Sequence, residues 1–80
     1  MANYHVGITL KAAGHYDEAI LFFNKLLEKS DDHVSALYHL GRTYIKNFRY
    51  EKAKECFRKA LEIDPENKNA REIYEFLINA

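Results

Sequence analysis

His5 and His39 are the residues whose type and spacing first suggest chemistry, since they recur thirty-four positions apart in similar surroundings. Imidazole is a common metal ligand and titrates near neutral pH, so the pair raises a metal site or a pH switch. Packed helices lie about 8 to 10 Å apart, a distance at which two histidines barely converge, and no further His or Cys stands at useful spacing. We therefore expect neither a metal nor a cofactor, and a solvated histidine that donates to a ligand backbone.

Cys56 is the only cysteine of the chain, so it forms no internal disulfide, and this fits a reducing compartment. It stands beside Phe57 in an amphipathic stretch, which is typical of a small core residue rather than a reactive thiol. No Cys-His or Ser-His-Asp grouping stands apart from the repeat pattern, so we expect no enzyme. The sequence shows neither a signal peptide nor an apolar run of about eighteen residues, so we expect a cytoplasmic protein.

Positive charge is the remaining candidate for chemistry, and it is concentrated in the middle of the chain. The segment 42–59 carries seven basic and two acidic residues, whereas the whole sequence carries twelve of each. The zero net charge argues against nucleic-acid binding. Arg42 and Lys46 lie one helical turn apart and can both pair with a carboxylate of a ligand. The alternative is that the basic segment is an ordinary solvated helix surface.

The sequence repeats itself at thirty-four residues, which indicates how these side chains are positioned. The pairs that recur at small or large apolar positions are Gly7 and Gly41, Tyr16 and Tyr50, Ala19 and Ala53, and Phe23 and Phe57. Repetition at roughly 20 to 50 residues marks stacked units that cannot bury their apolar faces alone. With 80 residues, of which 48% are apolar, the chain is predicted to form one domain, 1–80.

Apolar residues return at helical spacing throughout, which predicts an all-α protein. Turns are predicted at Gly14, at Phe48 and at Asp64-Pro65, and Asn67 can cap the last helix through its side-chain oxygen. The short links force neighbouring helices into antiparallel hairpins. The predicted helices span residues 2–13, 17–29, 35–47, 51–63 and 68–79.

Glycine inside a helix costs about 0.5 to 1 kcal/mol relative to alanine, so its presence indicates a close contact. Gly41 is predicted to approach the helix that carries Ala53, while the ring of Phe57, one turn further on, fills the space. The same pattern holds around Gly7. A glycine that clears room for a ligand is the alternative, but no phosphate-loop spacing surrounds either position.

These positions together resemble the tetratricopeptide repeat family. In the second copy the match runs through residues 36–44, Tyr50 to Ala53, Phe57, Ala60, Leu61, Asp64 and Pro65. In the first copy, Leu10 replaces the usual tyrosine, Leu26 the usual alanine and Asp31 the usual proline. The resemblance implies an α-α superhelix, or solenoid, of two antiparallel helical hairpins plus a fifth, capping helix. Its parts are repeat one at about 1–33, repeat two at about 34–67 and the capping helix at about 68–80.

The resemblance also implies a non-catalytic scaffold or adaptor, in which the first helices line a concave groove for a peptide or partner protein. Matching sites place this groove at Tyr4, His5, Ile8, Lys11, Ala12, Tyr38, His39, Arg42, Ile45, Lys46, Asn69, Glu72, Ile73 and Phe76. Basic residues outnumber Glu72 there and tyrosines offer stacking area, so we expect an acidic or acidic-aromatic partner, with no nucleic acid and no membrane. The alternative for Tyr4 and Tyr38 is that they pack between hairpins. The lysine, asparagine and arginine clamp by which some relatives hold a C-terminal carboxylate is missing.

Self-assembly is the alternative function, because two repeats fall below the roughly three that a stable stack needs. In the last helix, the residues predicted to cover the second hairpin are Ile73, Tyr74, Leu77 and Ile78. Ile73 lies at the edge of that stripe and Phe76 lies outside it. These two residues either line the groove or are covered by another chain, which predicts a homodimer through the C-terminal helix.

Overall fold

A computed structural model describes residues 13–29 and 33–79, which form four α-helices and no strand. The helices are α1 (Tyr16–Lys29), α2 (Val34–Lys46), α3 (Tyr50–Ile63) and α4 (Lys68–Ile78). Each helix packs against the next one along the chain. The all-α class is confirmed, and the packing is consistent with an α-α superhelix. Residues 2–12 of the predicted helix 2–13 lie outside the described residues and Ala13 lies in a turn, so the five-helix arrangement stays a prediction.

Side chains cap the N-termini of α2 and α4, which explains where these helices begin. The side-chain oxygen of Asn67 accepts a hydrogen bond from the N–H of Ala70 at 3.0 Å, as predicted. His33 acts similarly at α2, where its Nδ1 accepts from the N–H of Ala36 at 3.1 Å. Histidine does not belong to the residues that usually cap helices, so the sequence pattern did not predict this cap.

The turn between α2 and α3 closes through a left-handed residue, Phe48, which has a φ of 61°. Its N–H donates to the carbonyl of Ile45 at 3.0 Å, and the N–H of Arg49 donates to the carbonyl of Tyr44 at 2.8 Å. This pair of bonds is the Schellman motif, in which the left-handed residue is usually glycine. Gly14 has a φ of 87° at the matching position of the first repeat. Both predicted turns therefore contain a residue with a positive φ, although the residue type differs.

Gly41 lies against the ring of Phe57, and this contact sets how closely α2 and α3 pack. A Cβ atom placed on Gly41 would lie 2.7 Å from Cε2 of Phe57, much closer than van der Waals contact. Phe57 and Ala53 are both completely buried. The predicted packing of a helical glycine against a large ring is confirmed in the second repeat, whereas Gly7 lies outside the described residues.

Within the described part of the chain, the core consists of two groups of buried residues that share α2 and α3. The first group, built with α1, contains Ala19, Phe23, Ala36, Leu40 and Cys56. The second group, built with α4, contains Leu37, Ala53, Phe57, Ala60, Ala70 and Leu77. Because α2 turns one side to both groups, its opposite side is left for contacts outside the core.

On α4 the stripe that meets the core consists of Ala70, Ile73, Tyr74 and Leu77. The prediction that Ile78 covers the second hairpin is wrong, since this side chain is 49% exposed. Ile78 is turned about 100° around the helix from Leu77, which moves it to the edge of the stripe. Ile73, predicted at the edge, packs against the core and is only partly accessible.

Candidate functional site

The groove residues predicted in the second repeat lie on the more accessible side of α2, although Tyr38 and Ile45 at its edge also pack against the second core group. Helical spacing of three and four residues places them on one surface, here named the α2 face. The α2 face consists of Ser35, Tyr38, His39, Arg42, Ile45 and Lys46. Lys46 and Ser35 are exposed and the other four are partly buried. The five predicted residues of the first repeat, Tyr4, His5, Ile8, Lys11 and Ala12, lie outside the described residues.

Tyr38 is the centre of the α2 face because it touches three other rings or charges. Its ring meets Phe57 edge to face, with centroids 5.8 Å apart, and meets His39 in the same way at 5.4 Å. The guanidinium carbon of Arg42 lies 5.6 Å from the centroid of the Tyr38 ring, within cation–π range. These ring contacts of Tyr38 therefore lie within the α2–α3 hairpin, whereas the packing alternative placed the ring between hairpins. Tyr38 also holds Arg42 in a defined position on the surface.

His39 is not the solvated side chain that the sequence predicted. Its ring stacks on Phe23 of α1, with centroids 6.2 Å apart and planes 15° apart, and the residue is partly buried. Its backbone carbonyl accepts a hydrogen bond from the buried hydroxyl of Thr43 at 2.7 Å. The reason for the difference is the large ring of Phe23, which lies close enough to cover one side of the imidazole. His39 thus joins the α2 face to the first core group.

A small polar cleft of about 160 Å³ separates the first turns of α2 and α4. Its lining residues are Val34, Ser35, Tyr38, His39, Asn67 and Asn69. The structure thus brings Asn69 of the predicted groove to Tyr38 and His39. Sequence reasoning missed Val34 and Ser35, whose place in the cleft depends on how α4 packs against the hairpin. Asn67 was recognised only as a helix cap.

The other predicted members on α4 have different surroundings. Glu72 is exposed, Ile73 packs against the second core group, and Phe76 is 73% exposed. None of the three lines the polar cleft beside Tyr38. Phe76 therefore presents a large apolar surface that no described residue covers.

Some basic residues form ion pairs with carboxylates of the chain, and others do not. On α3, Lys54 lies 3.2 Å from Glu51 and Arg58 lies 3.2 Å from Glu62. Within residues 13–29 and 33–79, neither Arg42 nor Lys46 has a carboxylate within 4.0 Å. The α2 face therefore keeps cationic groups that can meet a ligand carboxylate.

Cys56 is buried between the helices rather than presented at a site. It is a free thiol and only 7% exposed. Burial raises the pKa of the Cys56 thiol from 9.0 to about 12, although nearby Lys59 opposes the effect. The thiol is therefore protonated at neutral pH and a poor nucleophile, which agrees with the predicted core role.

The described part of the chain offers no group of three or more His, Cys, Asp or Glu side chains that could hold a metal ion. In that same part, the helices are too short or too polar to cross a membrane. What remains as a candidate site is the α2 face with the adjoining surface of α4.

Comparison with known proteins gives two matches. The family model described as "Tetratricopeptide repeat" matches residues 2–32 and 34–67, one copy on each predicted repeat. "Tetratricopeptide repeat protein 12" of Mus musculus is 33% identical over 55 residues, which cover 69% of this chain. The aligned stretch spans 8% of the length of that relative, so most of the relative has no counterpart here.

Proposed function

Since the chain belongs to the tetratricopeptide repeat family, we propose that it is a non-catalytic module that binds a peptide or partner protein in a concave groove. Repeats of this family generally mediate contacts between proteins. In the proposal the α2 face forms the middle of the groove, with α4 on one side and the predicted helix 2–13 on the other. The observation that carries the proposal is the Tyr38–Arg42 stack beside Lys46 on the surface of α2.

The proposed ligand is an acidic or acidic-aromatic peptide. The Tyr38 ring orients the guanidinium of Arg42, so less side-chain entropy is lost when Arg42 pairs with a carboxylate. Lys46 stands one turn further along α2 and can reach a second carboxylate of the same ligand. An aromatic ligand side chain can stack where Tyr38 is accessible.

A charge reversal tests this proposal. The double variant Arg42→Glu, Lys46→Glu should bind acidic peptides at least about ten-fold more weakly than the unchanged chain, because two attractive pairs become repulsive. The variant Lys25→Glu, Lys59→Glu changes the net charge equally at exposed positions of α1 and α3, and should bind nearly as well as the unchanged chain. Fluorescence anisotropy with labelled peptides measures both. Equal losses in the two variants would mean that only the net charge matters and that no groove is involved.

Homodimer formation through α4 is the second candidate function, and the exposure of Phe76 favours it. A ring that is 73% exposed has no partner among the described residues, and a second copy would bury it. Phe76→Ser is the proper test, since Ile73 packs against the core and its replacement would also destabilise the fold. Light scattering over a concentration series should show the variant shifted toward monomer, whereas Leu21→Ser, at a 63% exposed site on α1, should not shift. A monomeric parent chain at high concentration removes this candidate.

The remaining parts of the proposal concern the arrangement of the whole chain. Repeat one spans about 1–33, repeat two about 34–67, and α4 acts as a capping helix within about 68–80. A cytoplasmic location is supported by the single, buried and unpaired cysteine, which needs no oxidising compartment. Binding of a longer partner is expected if further repeats adjoin this segment.

A further inference from the structure

The α2–α3 turn contains an aromatic residue where the fold itself favours glycine. Phe48 has a left-handed φ of 61° and is 79% exposed, so its side chain contributes almost nothing to the core. Gly14 fulfils the same backbone role in the first repeat. Left-handed conformation is a genuine outlier for a bulky residue, and such strain is often kept where a side chain is needed for binding.

The neighbours of Phe48 border a shallow, open hollow with both apolar and cationic residues. Its volume is about 640 Å³, and its lining is the continuous segment 47–52. Tyr50 is 46% exposed, and Arg49 and Lys52 are exposed as well. Within the described residues, Arg49 and Lys52 form no ion pair, whereas the one acidic member, Glu51, is paired with Lys54. The hollow therefore combines two aromatic rings with two available positive charges.

The corresponding turn of the first repeat lacks these features, although its sequence aligns residue by residue. Gly14, His15 and Glu18 occupy the positions of Phe48, Arg49 and Lys52. Two residues of that turn even pair with each other, since Nδ1 of His15 lies 3.4 Å from a carboxylate oxygen of Glu18. A positive φ at this position is thus compatible with a turn that has neither an exposed phenylalanine nor unpaired cations.

We propose that segment 47–52 is a second docking surface, separate from the groove, for an acidic segment of a partner protein that carries one large apolar side chain. The apolar side chain enters the hollow between Phe48 and Tyr50, and flanking carboxylates pair with Arg49 and Lys52. The segment favours a peptide over a membrane, because it is a turn and the first residues of α3 rather than a long helix with one apolar and one cationic face.

A repeat swap provides the test. The variant Phe48→Gly, Arg49→His, Lys52→Glu gives the second turn the residues of the first at the three positions that carry the proposal. Its probe is a short fluorescein-labelled synthetic peptide of glutamates around one leucine, measured by fluorescence anisotropy. The swap should weaken binding at least about ten-fold. Two altered peptides, one with serine in place of leucine and one with lysines in place of glutamates, should bind the unchanged chain about as weakly as the leucine peptide binds the swap variant.

Phe48→Gly alone separates binding from folding. It relieves the left-handed strain and removes few contacts, so the urea midpoint should stay the same or rise while peptide binding falls. The control replaces another exposed apolar side chain, Leu21 on α1. Glycine at this position would weaken the helix, so the control variant is Leu21→Ser, which should bind the peptide normally.

Four outcomes would overturn this proposal. The first is undetectable binding of the leucine peptide, and the second is unchanged binding after the swap. In the third, Arg42→Glu, Lys46→Glu abolishes binding while Arg49→Glu, Lys52→Glu does not, which would place the peptide in the groove. In the fourth, phosphatidylserine vesicles sediment with the unchanged chain but not with Phe48→Gly, and the peptide fails to bind, which would make the turn a membrane contact.

Discussion

Single residues decide how closely the helices approach each other and what is left for binding. Gly41 allows α2 to meet Phe57, and the Phe57 ring in turn supports Tyr38, which orients Arg42. The packing of the core therefore determines the positions of the surface residues on α2 that are proposed to bind a ligand. A substitution at Gly41 is expected to affect both the stability of the fold and the α2 face.

Overpacking at this contact should destabilise the second hairpin. Gly41→Leu and Ala53→Phe each add volume at completely buried contacts, at a cost of about 1 to 3 kcal/mol or more. Urea unfolding followed by circular dichroism measures the change. Ser35→Leu adds the same side chain at an exposed position of α2 and should change the free energy of unfolding by less than about 0.5 kcal/mol. An unchanged midpoint in both buried variants would contradict the close contact.

At the scale of the elements, the sequence predicted every described helix to within about one residue. Periodic apolar positions and the stops at Gly14, Phe48 and Pro65 are local signals, which a single segment carries by itself. The candidate site was less predictable because it depends on packing between segments. The stacking of His39 on Phe23 and the position of α4 beside α2 follow from tertiary contacts that no local pattern contains.

Helix caps are the local feature that most directly determines α4. Asn67→Ala should destabilise the chain by about 1 kcal/mol, because the N–H of Ala70 loses its acceptor. Asn67→Asp should retain the cap and place a negative charge at the helix N-terminus, where the dipole favours it. Asn69→Ala, two residues further on at an exposed position, is the control and should have little effect. Urea midpoints compare the three variants, and equal losses at both asparagines would argue against the cap.

The whole molecule combines a small core with two chemically similar surfaces. The α2 face and segment 47–52 both pair aromatic rings with unpaired cations, and both belong to the second hairpin. The same two helices support both surfaces, because α2 and α3 contribute residues to both core groups. Leu40 and Cys56 belong to the first group, and Phe57 belongs to the second. Partial opening of the hairpin would thus affect both surfaces, and Cys56 is a natural reporter of such opening.

Alkaline pH should destabilise the whole chain through Cys56. The pKa of this thiol is about 12 in the folded state against 9.0 as its ordinary value, so the folded state binds more protons between these limits. Stability is therefore intact below about pH 9 and falls as pH rises toward 12, by at most about 1.4 kcal/mol per pH unit. The measurement is the difference in free energy of unfolding between the parent chain and Cys56→Ala, because effects of other side chains are common to both. The variant starts less stable because a buried sulfur is lost, but its stability should decline less steeply with pH. Parallel declines would show that the thiol titrates alike in the folded and unfolded chains.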